Sequence, residues 1–396
     1  MAHVPPYPLY NRTYNLYRLS PLHHGHTTPL LLHQSLRLHA KRLKEQLKGD
    51  NVRGVQVDFA AAEDTAKLGP LEECRWEVIG DEDAWIYQRL QSIDPEASHL
   101  SADLTPETAR GLQVSLEYEK QSYNALLLRD PALTSSPHGF TSLPLLLVKM
   151  PGPIRDIFFH YLRTTFDAHV APLSLPSPFI TSSLETFFSH LTATNSTQSI
   201  QHVIRQLHIQ LAFPNTTSLL KHVQITIAGG DVSGFVDRGR LLKGIHSKPF
   251  TAALTQYLKT HLALDISHPN VQLSRVSCNS FHLGTERLKV VAPEPLPDTS
   301  LSDDVAPSQD SSAAQLAVQE LYTSLVREAT GTGRFLPDNV TNDLSEGTPS
   351  STASFRAARR KRAISSAAPS GGNNKKTKAK GKENNTKVNG DSTADI

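Results

Sequence analysis

The chain has 396 residues, 38% of them hydrophobic, and a net charge of +2, so it is long enough for one large domain or two moderate ones with a real core. Its two cysteines, Cys74 and Cys278, exclude a disulfide framework and a thiolate metal cage. We find no signal peptide, and the longest apolar stretches, such as residues 143–150, are too short to cross a bilayer. The sequence therefore predicts no membrane association.

The first part of the chain predicts several strands and one clear helix. Apolar residues from Leu32 to Leu47 follow helical spacing, which predicts a helix over about 30–48. An irregular acidic stretch with Trp76 and Trp85 runs to about residue 111. Strands are predicted at residues 13–20, 52–59, 112–128 and 143–150, the last of them buried on both faces.

The middle of the chain alternates helices and strands. Residues 207–213 and 223–227 alternate apolar with polar side chains, which predicts two half-buried antiparallel strands. Gly229-Gly230-Asp231 would be the turn that ends the second of them. Further elements are predicted as helices that open at Pro153 and cover 177–191 and 250–264, and as strands at 271–278 and 279–291.

Beyond Ala292 the composition changes. Residues 293–312 form a Pro, Ser and Asp linker that buries too little apolar surface to offset chain entropy. An apolar stripe from Ala314 to Leu325 predicts a helix over about 312–330, which would dock either on the same chain or on a partner. Everything after Gly331 is predicted to be disordered.

The C-terminal tail is strongly basic, with ten Lys and Arg and no Asp or Glu between residues 355 and 382. Two clusters separated by about a dozen residues predict a bipartite nuclear import signal that would also contact DNA phosphates non-specifically. The residues assigned to this signal are Arg359, Arg360, Lys361, Arg362, Lys375, Lys376 and Lys378.

A second basic stretch follows the predicted turn at residues 229–231. Its cations could contact DNA phosphates, and the alternative is an ordinary solvated surface. The residues are Arg238, Arg240, Lys243 and Lys248.

No motif assembles a catalytic, metal or cofactor site. His23-His24-Gly25-His26 offers imidazoles without a fourth ligand, so a loop is favoured over a metal site. The glycines at 229 and 230 match neither a P-loop nor a dinucleotide fingerprint, and no serine lies in a nucleophile elbow. We therefore predict that the protein is not an enzyme and takes no cofactor and no small-molecule substrate.

Two segments resemble the fungal centromere protein L family. One is the opening Tyr10-Asn11-Arg12-Thr13-Tyr14-Asn15-Leu16-Tyr17-Arg18-Leu19-Ser20-Pro21-Leu22. The other begins with the helix at Phe250 and ends in Ser280-Phe281-His282-Leu283-Gly284 and Arg287-Leu288-Lys289-Val290. The resemblance covers residues 7–292.

The resemblance implies an inner-kinetochore subunit of the nucleus that pairs with a centromere protein N-type partner and helps to anchor the kinetochore to centromeric chromatin. The implied fold is α+β, with curved antiparallel sheets and amphipathic helices packed on one face. We divide it into an N-terminal part (1–170), a C-terminal part that is the candidate dimerisation unit (171–292) and the linker, short helix and tail (293–396). Family pairing through the C-terminal part makes four residues candidates for the partner-facing surface or the core: Phe281, Leu283, Leu288 and Val290.

Two other functions remain open from the sequence. One is an autonomous nuclear nucleic-acid-binding protein that acts through its basic tail. The other is a hydrolase or transferase whose site has no recognisable motif.

Overall fold

A computed structural model describes residues 6–26, 28–48, 51–52, 55–56, 68–93, 104–132, 134, 136–192, 200–214, 220–242, 248–292 and 313–331. All of them belong to the first of two compact units, residues 1–344. The import-signal residues of the tail and Lys243 lie outside the described residues.

One large antiparallel sheet dominates the fold. Its strands are ordered β12-β11-β13-β14-β15-β1-β9-β7-β6-β5, and β10 also pairs with β1. Two short strand pairs, β2 with β8 and β3 with β4, lie apart from it. The strands are β1 (Arg12–Leu19), β2 (Leu22–His23), β3 (Asn51–Val52), β4 (Val55–Gln56), β5 (Leu71–Ile79), β6 (Gly111–Tyr118), β7 (Ser122–Leu128), β8 (Phe140–Thr141), β9 (Leu145–Lys149), β10 (Val170–Pro172), β11 (Gln206–Ala212), β12 (His222–Ala228), β13 (Gln272–Ser277), β14 (Phe281–Gly284) and β15 (Arg287–Val290).

The helices are mostly amphipathic and turn their apolar sides to this sheet. They are α1 (His33–Lys48), α2 (Glu82–Ile93), α3 (Gly152–Phe166), α4 (Ser177–Thr192), α5 (Ile200–Val203), α6 (Gly229–Leu241), α7 (Pro249–Leu262) and α8 (Ala313–Thr330). The mixed class with antiparallel strands is as predicted, and α1, α3, α4, α7 and α8 lie where helical spacing placed them.

Several sequence predictions are wrong in detail. The long strand predicted at 112–128 is a hairpin, β6 and β7, because the chain reverses at residues 119–121. The strand predicted at 279–291 is likewise two strands, β14 and β15. The stretch around Trp76 and Trp85 is regular rather than irregular, since it forms β5 and α2.

Gly229 and Gly230 open a helix rather than a turn, since α6 follows β12 directly. A Cβ atom at Gly229 would overlap the carbonyl oxygen of Ile204, and one at Gly239 would overlap that of Pro249. These glycines therefore permit close backbone approach, of α6 to the segment before β11 and of α6 to α7. Turn signals in the sequence do not distinguish this use of glycine from a reversal of the chain.

The sheet has helices on both faces, whereas the sequence analysis placed them on one. Successive residues of β9 point to opposite sides: Leu145 and Leu147 join the core that includes α4, α6, α7 and α8, and Leu146 and Val148 join the core that includes α1 and α3. We call the first side of the sheet face B and the second face A. On face A the core of α1 and α3 covers the half of the sheet from β5 to β1.

Helix α8 docks on its own chain, which decides between the two alternatives left open by the sequence. Tyr322, Leu325 and Val326 are buried on face B. The Tyr322 hydroxyl donates to the carbonyl oxygen of Arg129, and Arg18 pairs with Glu328 at 3.3 Å. These contacts attach α8 to β1 and to the chain that follows β7.

Candidate partner and nucleic-acid interfaces

The four residues predicted for partner binding lie on face B, inside the core. Leu283, Leu288 and Val290 are at most 1% exposed, and Phe281 packs edge-on against Phe187 of α4 with ring centroids 4.8 Å apart. Leu288 and Val290 line a small apolar cavity together with residues of α8. A partner would reach these side chains only after α4 or α8 moved away, so their contact with a partner stays a prediction.

The opposite side of the same strands carries a group of cations. Because side chains alternate across a strand, Arg275, His282, Arg287 and Lys289 point to face A while their neighbours enter the core. Cross-strand pairing places Ser277 beside His282 and His282 beside Lys289. We call these four residues the basic face.

Polar side chains continue the basic face toward the edge of the sheet. His208 lies between Ser277 of β13 and Thr226 of β12, and its Nδ1 is 3.0 Å from the Thr226 hydroxyl. Within the described chain, none of Arg275, Arg287 and Lys289 forms an ion pair with a carboxylate. The charges of the basic face are therefore available to an anion.

His282 is partly buried among the cations of this surface. Partial burial lowers the pKa of its imidazole, and the neighbouring cations Arg275, Lys289 and Arg287 lower it further. A histidine whose charged form is disfavoured by three cations lies where an anion would be attracted.

Helix α3 borders the basic face on the side of the covered half. Tyr17 of β1 packs edge-on against Phe159 of α3 with ring centroids 4.9 Å apart. The guanidinium carbon of Arg155 lies 5.9 Å from the centre of the Phe159 ring. Two residues before Tyr17 in the same strand, Asn15 pairs with Arg287 of β15, so the change from covered to open surface occurs along β1.

The two edges of the sheet differ in how they are protected. Strand β12 has seven residues, among them no proline and no ionisable residue other than one histidine. Ile227 is the one buried residue of this strand. Strand β5 at the other edge carries Glu72, Glu73, Arg75 and Glu77. Charges on an edge strand discourage the addition of a foreign strand, so β12 is the edge open to pairing.

The cations predicted to bind DNA lie on the other side of the sheet from the basic face, because α6 and α7 cover face B. Arg238 stacks on Phe235 of its own helix at 4.5 Å, and Arg240 donates to the Thr192 hydroxyl at 2.9 Å. Lys248 precedes the first residue of α7. The described members of this set therefore cannot share one flat surface with Arg275, Arg287 and Lys289.

The histidines near residue 24 form loop contacts. His26 Nδ1 lies 2.6 Å from His138 Nδ1 in a stacked pair, and His23 packs on Phe140. In the part of the chain that the structure describes, no three His, Cys, Asp or Glu side chains are placed to hold a metal ion. These contacts join the β2 and β8 segments.

The sequence contained a signal for the basic face that we did not use. Arg275, His282, Arg287 and Lys289 all alternate with apolar neighbours in strands that were predicted correctly in kind. What was missing was the knowledge that, among the described elements, no helix packs over these strands on face A. Without it, an alternating cation is equally consistent with a solvated surface.

Comparison with known proteins provides the family. None of the curated proteins compared with the sequence matches it. No helix in the described ranges is long and apolar enough to span a bilayer. The model of the family described as centromere protein L matches residues 8–330, which extends the resemblance beyond residue 292 to include α8. Proteins of this family are structural components of the kinetochore at the centromeres of chromosomes in the nucleus and act in chromosome segregation. With four-fifths of its length matched, the chain is a centromere and kinetochore protein that belongs to the centromere protein L family.

Proposed function

We propose that the protein pairs with a centromere protein N-type partner through the C-terminal half of its sheet and that the pair anchors the kinetochore to centromeric chromatin. The observation that carries this proposal is the position of an edge strand without acidic or basic residues other than histidine, β12, one strand away from a surface of unpaired cations. Both features belong to the part predicted to be the dimerisation unit, residues 171–292.

Addition of a partner strand to β12 explains both features together. The outer hydrogen-bonding groups of an edge strand bind an extended segment through the backbone, and alternate side chains select it. Val223 and Ile225 would then gain apolar neighbours on face B, and the polar row of Thr226 and His208 would continue on face A. The added strand therefore widens the surface on which phosphates can lie.

The charge of the basic face suits a phosphate backbone. Cations without carboxylate partners keep their full attraction for phosphates, and each neutralised phosphate releases counterions. No exposed aromatic ring lies among the described side chains of the basic face, so base stacking of single strands has no platform there. Contact with duplex DNA through the backbone is the function that these residues support best.

The pairing is tested by co-expression with the N-type partner of the same host, followed by size-exclusion chromatography with light scattering. We expect a stable one-to-one complex that Val223→Lys disrupts, because an inward-pointing lysine on an edge strand blocks strand addition. His222→Lys, on the same strand but exposed at its start, is the matched control. Separate elution of two folded wild-type proteins would overturn the pairing.

The DNA contact is tested by the salt dependence of binding to a duplex oligonucleotide. Replacement of Arg275, Arg287 and Lys289 by Ala should make the slope of log K against log salt shallower by about 2.7, since each lost phosphate contact removes about 0.9. Arg238→Ala with Arg240→Ala tests the cations predicted from the sequence. A slope changed only by the α6 pair would move the DNA site to face B.

The basic tail supports a second proposal, nuclear import and added DNA affinity. Deletion of residues 355–382 should reduce nuclear entry and salt-sensitive DNA binding and leave assembly with the partner intact. If the tail deletion abolished all DNA binding while the basic-face variant bound normally, the protein would act on nucleic acid through its tail alone.

A further inference from the structure

His282 occupies the centre of the basic face. It pairs with Ser277 of β13 and with Lys289 of β15, and Arg275 and Arg287 are near enough to act on its charge. Its own strand contributes no other ionisable group, since the remaining residues of β14 are Phe281, Leu283 and Gly284. Within the described chain no hydrogen bond to either of its ring nitrogens is found.

We propose that His282 takes up a proton when a nucleic-acid phosphate binds the basic face, and that the resulting imidazolium is one of the phosphate contacts. The inference rests on the proposed DNA contact and adds a residue and a pH dependence to it. The kinetochore function of the family does not require either.

The proton uptake follows from the charges around the imidazole. In the free protein, partial burial and then three cations hold the pKa of His282 below its usual value, so the ring is neutral near pH 7. A bound phosphate places negative charge beside the same ring and offsets the cations, which favours the protonated form. Binding and protonation are therefore coupled, and lower pH strengthens binding.

Duplex binding by the full chain, measured between pH 8 and pH 6 at several salt concentrations, tests the proposal. We expect the affinity to rise as the pH falls, by at most about tenfold per pH unit for one proton. The salt slope should also steepen by about 0.9 between the two pH values, because one more cation contacts a phosphate. The tail after residue 331 contains no histidine, so it does not titrate in this range.

Three variants isolate the residue. His282→Gln should lose the difference in salt slope between pH 8 and pH 6 that wild type shows. His282→Lys, a permanent cation at the same place, should bind at pH 8 as wild type binds at pH 6. His208→Gln, on the same face but beside Thr226 and Ser277 rather than cations, should retain the wild-type pH dependence.

The outcomes separate this inference from the proposed function. Strong duplex binding that depends on Arg275, Arg287 and Lys289 but has the same salt slope at both pH values would overturn the role of His282 alone. An equal loss of pH dependence in the His208 and His282 variants would also overturn it. Binding that does not depend on the basic face would overturn both proposals.

Discussion

The sheet has two exposed polar surfaces, one on each side, and their charges are arranged differently. On face B at the β5 edge, β5 carries Glu73, Arg75 and Glu77, and Glu73 lies opposite Glu117 of β6. Arg75 is bound to Glu73, and Glu77 pairs with Arg89 of α2 at 2.9 Å. On face A at the other end, Arg275, Arg287 and Lys289 have no such partners in the described chain. We call the first of these surfaces, formed by Glu73, Arg75, Glu77, Arg89 and Glu117, the paired face.

The difference shows how a functional surface can be separated from a solvated one on the same scaffold. Carboxylates and arginines that pair with each other make a surface that is soluble and has little attraction for ions. A group of cations without carboxylate partners keeps a positive potential that attracts an anion. The paired face therefore supports solubility, and the basic face supports binding.

The largest expected effect contrasts the two sides of the strands that bear the basic face. Leu283 is fully buried, so Leu283→Ala should lower the free energy of unfolding by about 2–5 kcal/mol. Lys289→Ala, on the exposed side of the next strand, should change it by less than about 0.5 kcal/mol. Urea titration of both full-length variants measures the difference. Equal losses would mean that the basic face is part of the core.

The paired face should gain affinity for duplex DNA when its carboxylates are removed. Replacement of Glu73, Glu77 and Glu117 by Gln removes the carboxylates around Arg75, so the salt slope for duplex DNA should steepen by up to about 0.9. Replacement of the exposed Glu45, Glu72 and Glu107 by Gln changes the net charge equally and leaves Arg75 paired with Glu73. Identical slopes in the two variants would show that net charge, rather than pairing, governs binding.

Two histidines on face A, His39 in the part covered by helices and His282 on the basic face, allow the covered and open surfaces to be compared. His39 of α1 is enclosed by Trp76, Tyr161 and Phe166, and burial lowers its pKa to about 4. The unfolded chain binds this proton near pH 6.5 and the folded chain does not, so stability should fall as pH drops from 6.5 toward 4.

Urea midpoints at several pH values measure this fall, and His39→Gln should make it smaller. His33→Gln, exposed at the start of the same helix, is the control. Burial is the main cause of the lowered pKa of both histidines, but one cation, Arg42, also acts on His39 and three cations act on His282. The pKa of His282 should therefore rise more with salt than that of His39, because screening weakens more cations around it. A salt effect of the same size on both would contradict the assigned causes.

The smallest expected effect is on the stability of the paired face. Arg75 and Glu73 are both well exposed, so Arg75→Ala should cost no more than about 1 kcal/mol and less at high salt. Glu73→Gln should give a similar loss, since either substitution removes the same pair. A loss above 2 kcal/mol would mean that the pair has a structural role beyond solubility.

The periodicity of apolar residues was sufficient to identify those helices and strands that bury one side and expose the other. The apolar stripes of α1, α3, α4, α7 and α8 and the alternation of β11 and β12 were recognised because the pattern and the burial coincide. The hairpin at residues 119–121 was missed, although polar residues interrupt the alternation there, because Glu119-Lys120-Gln121 contains no Gly, Pro, Asn or Asp to indicate a turn. The start of α6 was missed because glycine serves close packing there and is also the usual turn residue.

By itself the sequence determined the antiparallel α/β class, the family resemblance at both ends and the amphipathic nature of the helix at 313–330. Only the tertiary structure decided which side of each strand is covered. Leu288 and Lys289 are adjacent in the sequence, yet one lies beneath α8 and the other belongs to the basic face. Local pattern assigns side chains to alternate sides, but burial and charge pairing depend on elements far away in the chain.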